Sequence, residues 1–211
     1  MKVSMAVQSR KSVRGFLPTP VPPEVIRDVL EQAARAPSGG NLQPWHLHVV
    51  GGEPLERLKA TMRERIAGMP GGEGSEYDIY PRELVSPYRE RRFQVGEDLY
   101  RCLGIPRENK PARMAQFANC TVDRRMGPPQ WSDLGMYLQT VMLLLCEHGL
   151  DSCAQECWAI YPETISGFLA IPPERMLFTG MAIGYEDTEA PVNQLRATRA
   201  PLAEFAEFIG I

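Results

Sequence analysis

The sequence lacks a long apolar run: its longest strongly apolar stretch, Val141 to Cys146, falls far short of the roughly 20 residues that span a bilayer. It also lacks a dominant charge. Lys and Arg number 23 against 26 Asp and Glu, leaving a net charge of −3 and a pI near 5.7. No global positive field therefore draws nucleic acid or an anionic membrane surface. Histidine is scarce, with three residues, and the five cysteines (Cys102, Cys120, Cys146, Cys153, Cys157) include no CxxC pair. That pattern supports neither a disulfide framework nor a zinc site, and no metal is expected. There is no internal repeat or low-complexity tract, and the opening MKVSMAVQSRKSVR has no apolar stretch of the kind that directs secretion. The expectation is a cytoplasmic protein with free thiols.

What is present is an ordinary globular composition, 44% hydrophobic and 23% charged. With 211 residues the chain can bury one sizeable core, so 1–211 is read as a single domain. The local signals give a mixture of helices and strands. A short helix is predicted over 3–9. A second starts near Pro23 and Glu24, carries Val25, Ile26, Val29, Leu30 and Ala33 on one face, and stops before Pro37. Trp45 to Val50 reads as a strand and Leu55 to Ile66 as a helix. From residue 68 to 107 the chain makes an excursion rich in Gly, Pro, Tyr and charge, the composition of a lid or of an arm that embraces a partner. Ser132 to His148 is apolar on nearly every face, which places it in the centre of the domain or in a subunit interface. A strand over 152–158, a helix over 162–169 and a strand over 176–183 complete an α+β pattern.

Two clusters hold the chemistry. Arg10, Ser12 and Arg14 place two guanidinium groups and a hydroxyl within five residues, a set suited to a phosphate. Pro37-Ser38-Gly39-Gly40-Asn41-Leu42-Gln43-Pro44-Trp45 joins a helix end to a strand through two glycines. Its glycines let backbone N–H groups converge on a ligand, and Ser38, Asn41 and Gln43 offer hydroxyl and amide groups that match the edge of a heterocycle. Read alone, the basic cluster also fits solvated surface charge, and the loop also fits a tight connection with a capping Asn. His46, His48 and His148 are read as structural.

These segments carry a resemblance. R-K-S-V-R at 10–14, A-P-S-G-G-N-L-Q-P-W at 36–45, G-L-D-S-C-A-Q-E at 149–156 and a basic pair at Arg196 and Arg199 together resemble the FMN-dependent nitroreductase family in order and spacing. The resemblance implies an α+β fold with a central, mostly antiparallel sheet flanked by helices. It further implies an intertwined homodimer with the apolar helix in the interface and two FMN sites made by both subunits. It gives Arg10 and Ser12 to the FMN phosphate, counts Lys11 among the cofactor-binding residues, and gives Arg14 to the pyrimidine edge, where a cation favours the anionic reduced flavin. Pro37, Ser38, Gly39, Asn41 and Gln43 fall where the family contacts the ribityl chain and ring. Gln155, Glu156 and Cys157 match the strip whose backbone N–H groups point at the reactive nitrogen, and Arg196 and Arg199 match residues that close over the phosphate.

The implied activity is a two-step transfer of reducing equivalents from NADPH or NADH to a small aromatic acceptor, a nitroaromatic or a quinone. No side chain need act as nucleophile or strong acid. The fold also hosts flavin enzymes that oxidise or dehalogenate other small rings, and a flavin-binding redox sensor with little turnover is a third reading. One departure stands out. The family carries a Phe-rich strand with an Ala-Pro pair between the positions of Asn119 and Thr121, whereas here Phe117-Ala118-Asn119-Cys120 runs almost directly into Thr121-Val122-Asp123.

Overall fold

The computed structural model describes residues 1–104 and 120–210. The elements run α1 (Val3–Ser9), α2 (Pro23–Ala33), β1 (Trp45–His46), α3 (Gly52–Gly68), α4 (Tyr88–Cys102), β2 (Cys120–Asp123), α5 (Pro128–Glu147), β3 (Asp151–Gln155), α6 (Pro162–Leu169) and β4 (Arg175–Gly184). The four strands form one sheet in the order β1-β2-β4-β3, and each neighbouring pair is antiparallel. This is the α+β sheet expected. The segment after α1 extends it: Ser12 bridges Ser152 of β3 in parallel, and the Val13 N–H donates to the Ser152 carbonyl at 3.1 Å.

Helices cover both faces. On one, α2 and α5 bury Val29, Ala33, Tyr137, Val141 and Leu145, with Met181 and Ile183 of β4 packed against them. On the other, Leu58 and Met62 of α3 and Ile165 of α6 meet Trp158, Tyr161 and Leu177. Pro23 at the first turn of α2 and Pro128 and Pro129 at that of α5 have no N–H to leave unsatisfied, which fixes where those helices begin. Hence α5 starts four residues ahead of Ser132.

The register of β2 on β4 slips between Cys120 and Thr121: Thr121 faces Leu177, Cys120 faces Thr179, and Phe178 is left unopposed. Such a bulge reverses the facing of the residues beyond it. Met176 and Phe178 before the slip, and Met181 and Ile183 after it, accordingly all pack on the helical layer containing α5. Tyr77 donates its hydroxyl to the Phe178 carbonyl at the slip.

Three expectations shift. The first strand is two residues long because the chain leaves the ladder after His46. The strand predicted over 152–158 ends at Gln155 and passes into a 3-10 turn, Glu156–Ile160. The excursion contains a helix, α4, that no apolar periodicity announces; none of its residues is buried. Residues 105–107 of the excursion and the run up to Asn119, where the family's strand is not matched, lie outside the described residues. β2 itself pairs on both sides.

The excursion divides sharply. Its first part is fixed to the body by Glu73, whose side chain is 2% exposed. The Glu73 carboxylate accepts from Arg65 Nε at 2.7 Å, from the N–H groups of Glu163 and Thr164 at 2.8 and 3.1 Å, and from the Thr164 hydroxyl. Burial alone would raise the Glu73 carboxyl, but these hydrogen bonds outweigh it and hold the pKa below its ordinary value. Glu76 similarly joins Arg124 and the Leu177 N–H at 3.0 Å. Farther on, Tyr88 and Phe93 of α4 are exposed, and Arg91 pairs with Glu204 of the C-terminal segment.

Candidate functional site

The Arg10–Arg14 segment is extended, so alternate side chains point to opposite sides. Val13 is wholly buried. Lys11, on the same side, forms an ion pair with Glu186 at 2.6 Å and donates to the Asn193 carbonyl at 2.9 Å. Its ammonium is thereby turned away from Arg10, Ser12 and Arg14, although the resemblance counts it among the cofactor-binding residues. Arg10, Ser12 and Arg14 lie on the other side, where Ser12 reaches the Cys153 thiol and Arg10 and Arg14 lie close enough to act on it electrostatically. Arg14 Nη1 donates to the Ser12 carbonyl at 3.0 Å. Among the described residues neither Arg10 nor Arg14 forms an ion pair with a carboxylate, although both are half-buried.

Asn193 sets this edge, and nothing local in the sequence marks it. It is 1% exposed. Its Oδ1 accepts from the N–H groups of Arg14 and Gly15 at 2.8 and 3.1 Å, while Nδ2 donates to the carbonyls of Gly15 and Asp187 at 2.7 and 2.8 Å. All four hydrogen-bonding positions of the amide are used. A Cβ on Gly15 would stand 2.5 Å from that of Ala190, so the close approach requires glycine.

β3 delivers the second group of expected residues to the same edge. Gln155 ends the strand, and Glu156 and Cys157 open the 3-10 turn. Arg14 acts electrostatically on Cys157, but burial outweighs it and pushes the thiol up to about 12. Cys146 and Cys153 are raised by burial as well, so these cysteines are poor nucleophiles near neutrality. Glu156 is exposed as a residue, yet its carboxyl lies close enough to the body for burial to raise its pKa.

Arg196 joins the edge from the C-terminal side. Its guanidinium donates to the carbonyls of Ser9 at 2.8 Å, of Arg10 at 3.3 Å and of Gln8, a cation at the carbonyl end of α1. Among the described residues Arg199 bonds the neighbouring carbonyls of Ala197 and Thr198. Arg10, Ser12, Arg14, Gln155, Glu156, Cys157 and Arg196 are thus gathered along one edge, and Arg199 bonds within its own segment.

The Pro37–Gln43 loop is elsewhere. Asp133 of α5, 4% exposed, accepts from the Gly39 N–H at 3.2 Å, and Ser38 Oγ accepts from the Gln43 N–H at 3.0 Å. Gly40, Asn41 and Gln43 have φ of 58°, 56° and 49°, a left-handed run that glycine and asparagine tolerate best. Pro37, Gly39, Asn41 and Gln43 remain exposed. Asp133 holds this loop, whereas Arg10 acts on Cys146. Thirteen residues along α5 correspond to a rise of about 20 Å and a turn of roughly 140° about the axis. The helix body therefore stands between the loop and the arginine edge.

The donor set of the edge suits FMN. Two guanidinium groups without a carboxylate partner among the described residues, and a hydroxyl, match a phosphate dianion.

Residues 7–185 match the model of the Nitroreductase family. The chain belongs to the nitroreductase family. Nitrobenzene nitroreductase of Ectopseudomonas oleovorans is 33% identical over 215 residues, 96% of this chain and 95% of that protein. The FMN and NADPH-dependent nitroreductase NfnB of Sphigopyxis sp. strain HMH superposes with a TM-score of 0.93 at 46% identity, and all of both chains is covered. The FMN-dependent NfnB of Mycobacterium smegmatis, solved with NADPH, gives 0.88 at 30% identity over 99% of this chain and 100% of that one. These family members match along nearly the whole sequence, and the described residues share their fold.

Proposed function

We propose that this chain is an FMN-dependent oxidoreductase that takes reducing equivalents from NADPH and delivers them to nitroaromatic or quinone acceptors, working as a cytoplasmic homodimer of single 1–211 domains. The observation that carries the reading is the pair of half-buried guanidinium groups, Arg10 and Arg14, without a carboxylate partner among the described residues. A cation removed from water calls for a counter-charge, and the edge is shaped to receive one from outside the chain. In this reading Arg10 and Ser12 hold the phosphate, with Arg196 fixing the turn beneath them. Arg14 lies toward the flavin ring, and the backbone of Gln155, Glu156 and Cys157 meets its polar edge.

When bound, FMN supplies the two-electron carrier that accepts hydride from the nicotinamide and returns the electrons to the acceptor. The protein's own part is to orient both ligands in turn and to exclude water, and the raised thiols of Cys153 and Cys157 suit a site with no covalent step.

The separation of loop and arginine edge supports a shared site. The loop of one copy, with Pro37, Gly39, Asn41 and Gln43 exposed and Ser38 half-buried between them, would complete the edge of a second. One face of α5 is open for such pairing: Gly135, Met136 and Gln139 are exposed, and a Cβ on Gly135 would meet nothing within 4 Å. The exposed Phe205, Phe208 and Ile209 of the C-terminal segment add apolar surface for a partner.

The test is anaerobic titration of the purified protein. The expected result is a yellow protein bleached by NADPH and recoloured by nitrobenzene faster than by dissolved oxygen. Protein that cannot be loaded with FMN would refute the reading, and reoxidation no faster than by oxygen would favour a redox sensor.

A further inference from the structure

The bulge at Phe178 has a counterpart in a cavity that neither the arginine edge nor the Pro37–Gln43 loop uses. A space of about 490 Å³ is lined by Met126, Gly127, Pro128, Trp131, Ser132 and Phe178, within the roughly 300–1,000 Å³ of small-molecule sites. Among the described residues no charged side chain lines it. Its aromatic walls are held in place: the indole Nε1 of Trp131 donates to the Met126 carbonyl at 2.9 Å, and Tyr77 ties the unopposed Phe178 by its carbonyl. The rings of Trp131 and Phe178 meet edge to face at 5.6 Å, with Tyr77 edge-on to Trp131 at 4.9 Å.

The place matters as much as the lining. Tyr77, behind the cavity, lies near Glu156 and Cys157, and Gln155 at the end of β3 pairs with Gly180, two residues beyond Phe178 on β4, which puts the cavity beside the strip given to the flavin ring. On the other side Ser132 precedes Asp133, the residue that holds the loop at Gly39. A bulge that turns an aromatic side chain toward a functional edge is a recurrent device.

We propose that this cavity receives the ring of the aromatic acceptor and favours uncharged rings over ring carboxylates. The proposal rests on the acceptor chemistry given above. An apolar ring gains stacking contacts against Trp131 and Phe178, whereas a carboxylate would lose water without finding a cation among the lining residues.

Calorimetric titration of the FMN-loaded protein with nitrobenzene and with 4-nitrobenzoate tests it, beside the flavin spectrum and the oligomeric state of each variant. The expected result is at least about tenfold tighter binding of nitrobenzene. Trp131→Ala should weaken nitrobenzene about tenfold with flavin content retained. Ser132→Lys should improve 4-nitrobenzoate about tenfold, a gain that no folding defect imitates. Equal binding of the two ligands, or an unchanged nitrobenzene affinity in Trp131→Ala, would overturn the proposal. A change of oligomeric state in Trp131→Ala would overturn it too, by giving the cavity to a second copy. Should the parent protein fail to bleach with NADPH, the function proposed above fails, while the titration still reads the cavity.

Discussion

The arginine edge and the Pro37–Gln43 loop are built in opposite ways. The edge is part of its own chain's core: Val13 is sealed beneath it, Asn193 is saturated by four hydrogen bonds, and Lys11 is spent on Glu186. The loop is held by Asp133 and by its own Ser38–Gln43 contact, and it turns its polar side chains outward. Order in the first comes from burial, and order in the second comes from left-handed backbone and one anchor. The contrast fits a site whose one half is structural to the subunit and whose other half is offered to a neighbour.

Substitutions separate the two halves. The largest effect on folding is expected at Asn193. Asn193→Ala strands the N–H groups of Arg14 and Gly15 and should cost about 2–4 kcal/mol in urea unfolding, with FMN lost in parallel. Arg10→Glu should leave folding nearly intact but weaken FMN by about 1.5–3 kcal/mol or more, because a charged hydrogen bond is replaced by repulsion; an unchanged dissociation constant would remove Arg10 from the phosphate site. Asp133→Ala should cost about 1–2 kcal/mol of stability through the unpaired Gly39 N–H and lower FMN affinity by loosening the loop. Smallest is Asn41→Gly, which keeps the left-handed backbone and should change stability by less than about 0.5 kcal/mol while still reducing FMN binding. A stability loss at Asn41 as large as that at Asn193 would erase the contrast.

Acidity probes the segment just after the loop and the Glu73 anchor. Burial first, and then Arg175, lowers the pKa of His46 and of His48. The folded state therefore binds protons on these rings less readily than the unfolded chain does, so their effect on stability is absent above the ordinary value of 6.5. Stability falls as the pH drops below it. The Glu73 contribution behaves as a carboxylate with a lowered pKa: it is present above the ordinary 4.5 and lost only at lower pH. Urea unfolding between pH 7.5 and 5.5 should thus show a loss that substitution of His48 reduces and Glu73→Gln does not.

Much of this was legible in the sequence. Pro23 and the prolines before Trp131 mark helix starts, and the apolar stripe of α5 announces its burial. Period-two alternation already separates Arg10, Ser12 and Arg14 from Lys11, so that residue's place on the opposite side could have been foreseen. The α4 helix was hidden because no residue of Tyr88–Cys102 is fully buried, so the segment carries no apolar stripe. Asn193, Asp133 and Glu73 act on residues far away in sequence, and local pattern holds no trace of such contacts. The bulge that exposes Phe178 to the cavity arises from pairing register, a property of two strands together.

The most direct test of the divided site is complementation between damaged copies. Arg10→Glu spoils the edge and Asn41→Glu the loop, and each protein alone should hold little FMN. Produced together in equal amounts, random pairing makes half the dimers mixed. Each mixed dimer has one intact site in two, so FMN capacity should recover to about one quarter of the parent's. No recovery, with mixed dimers demonstrably present, would place both halves of the site in a single chain and contradict the account.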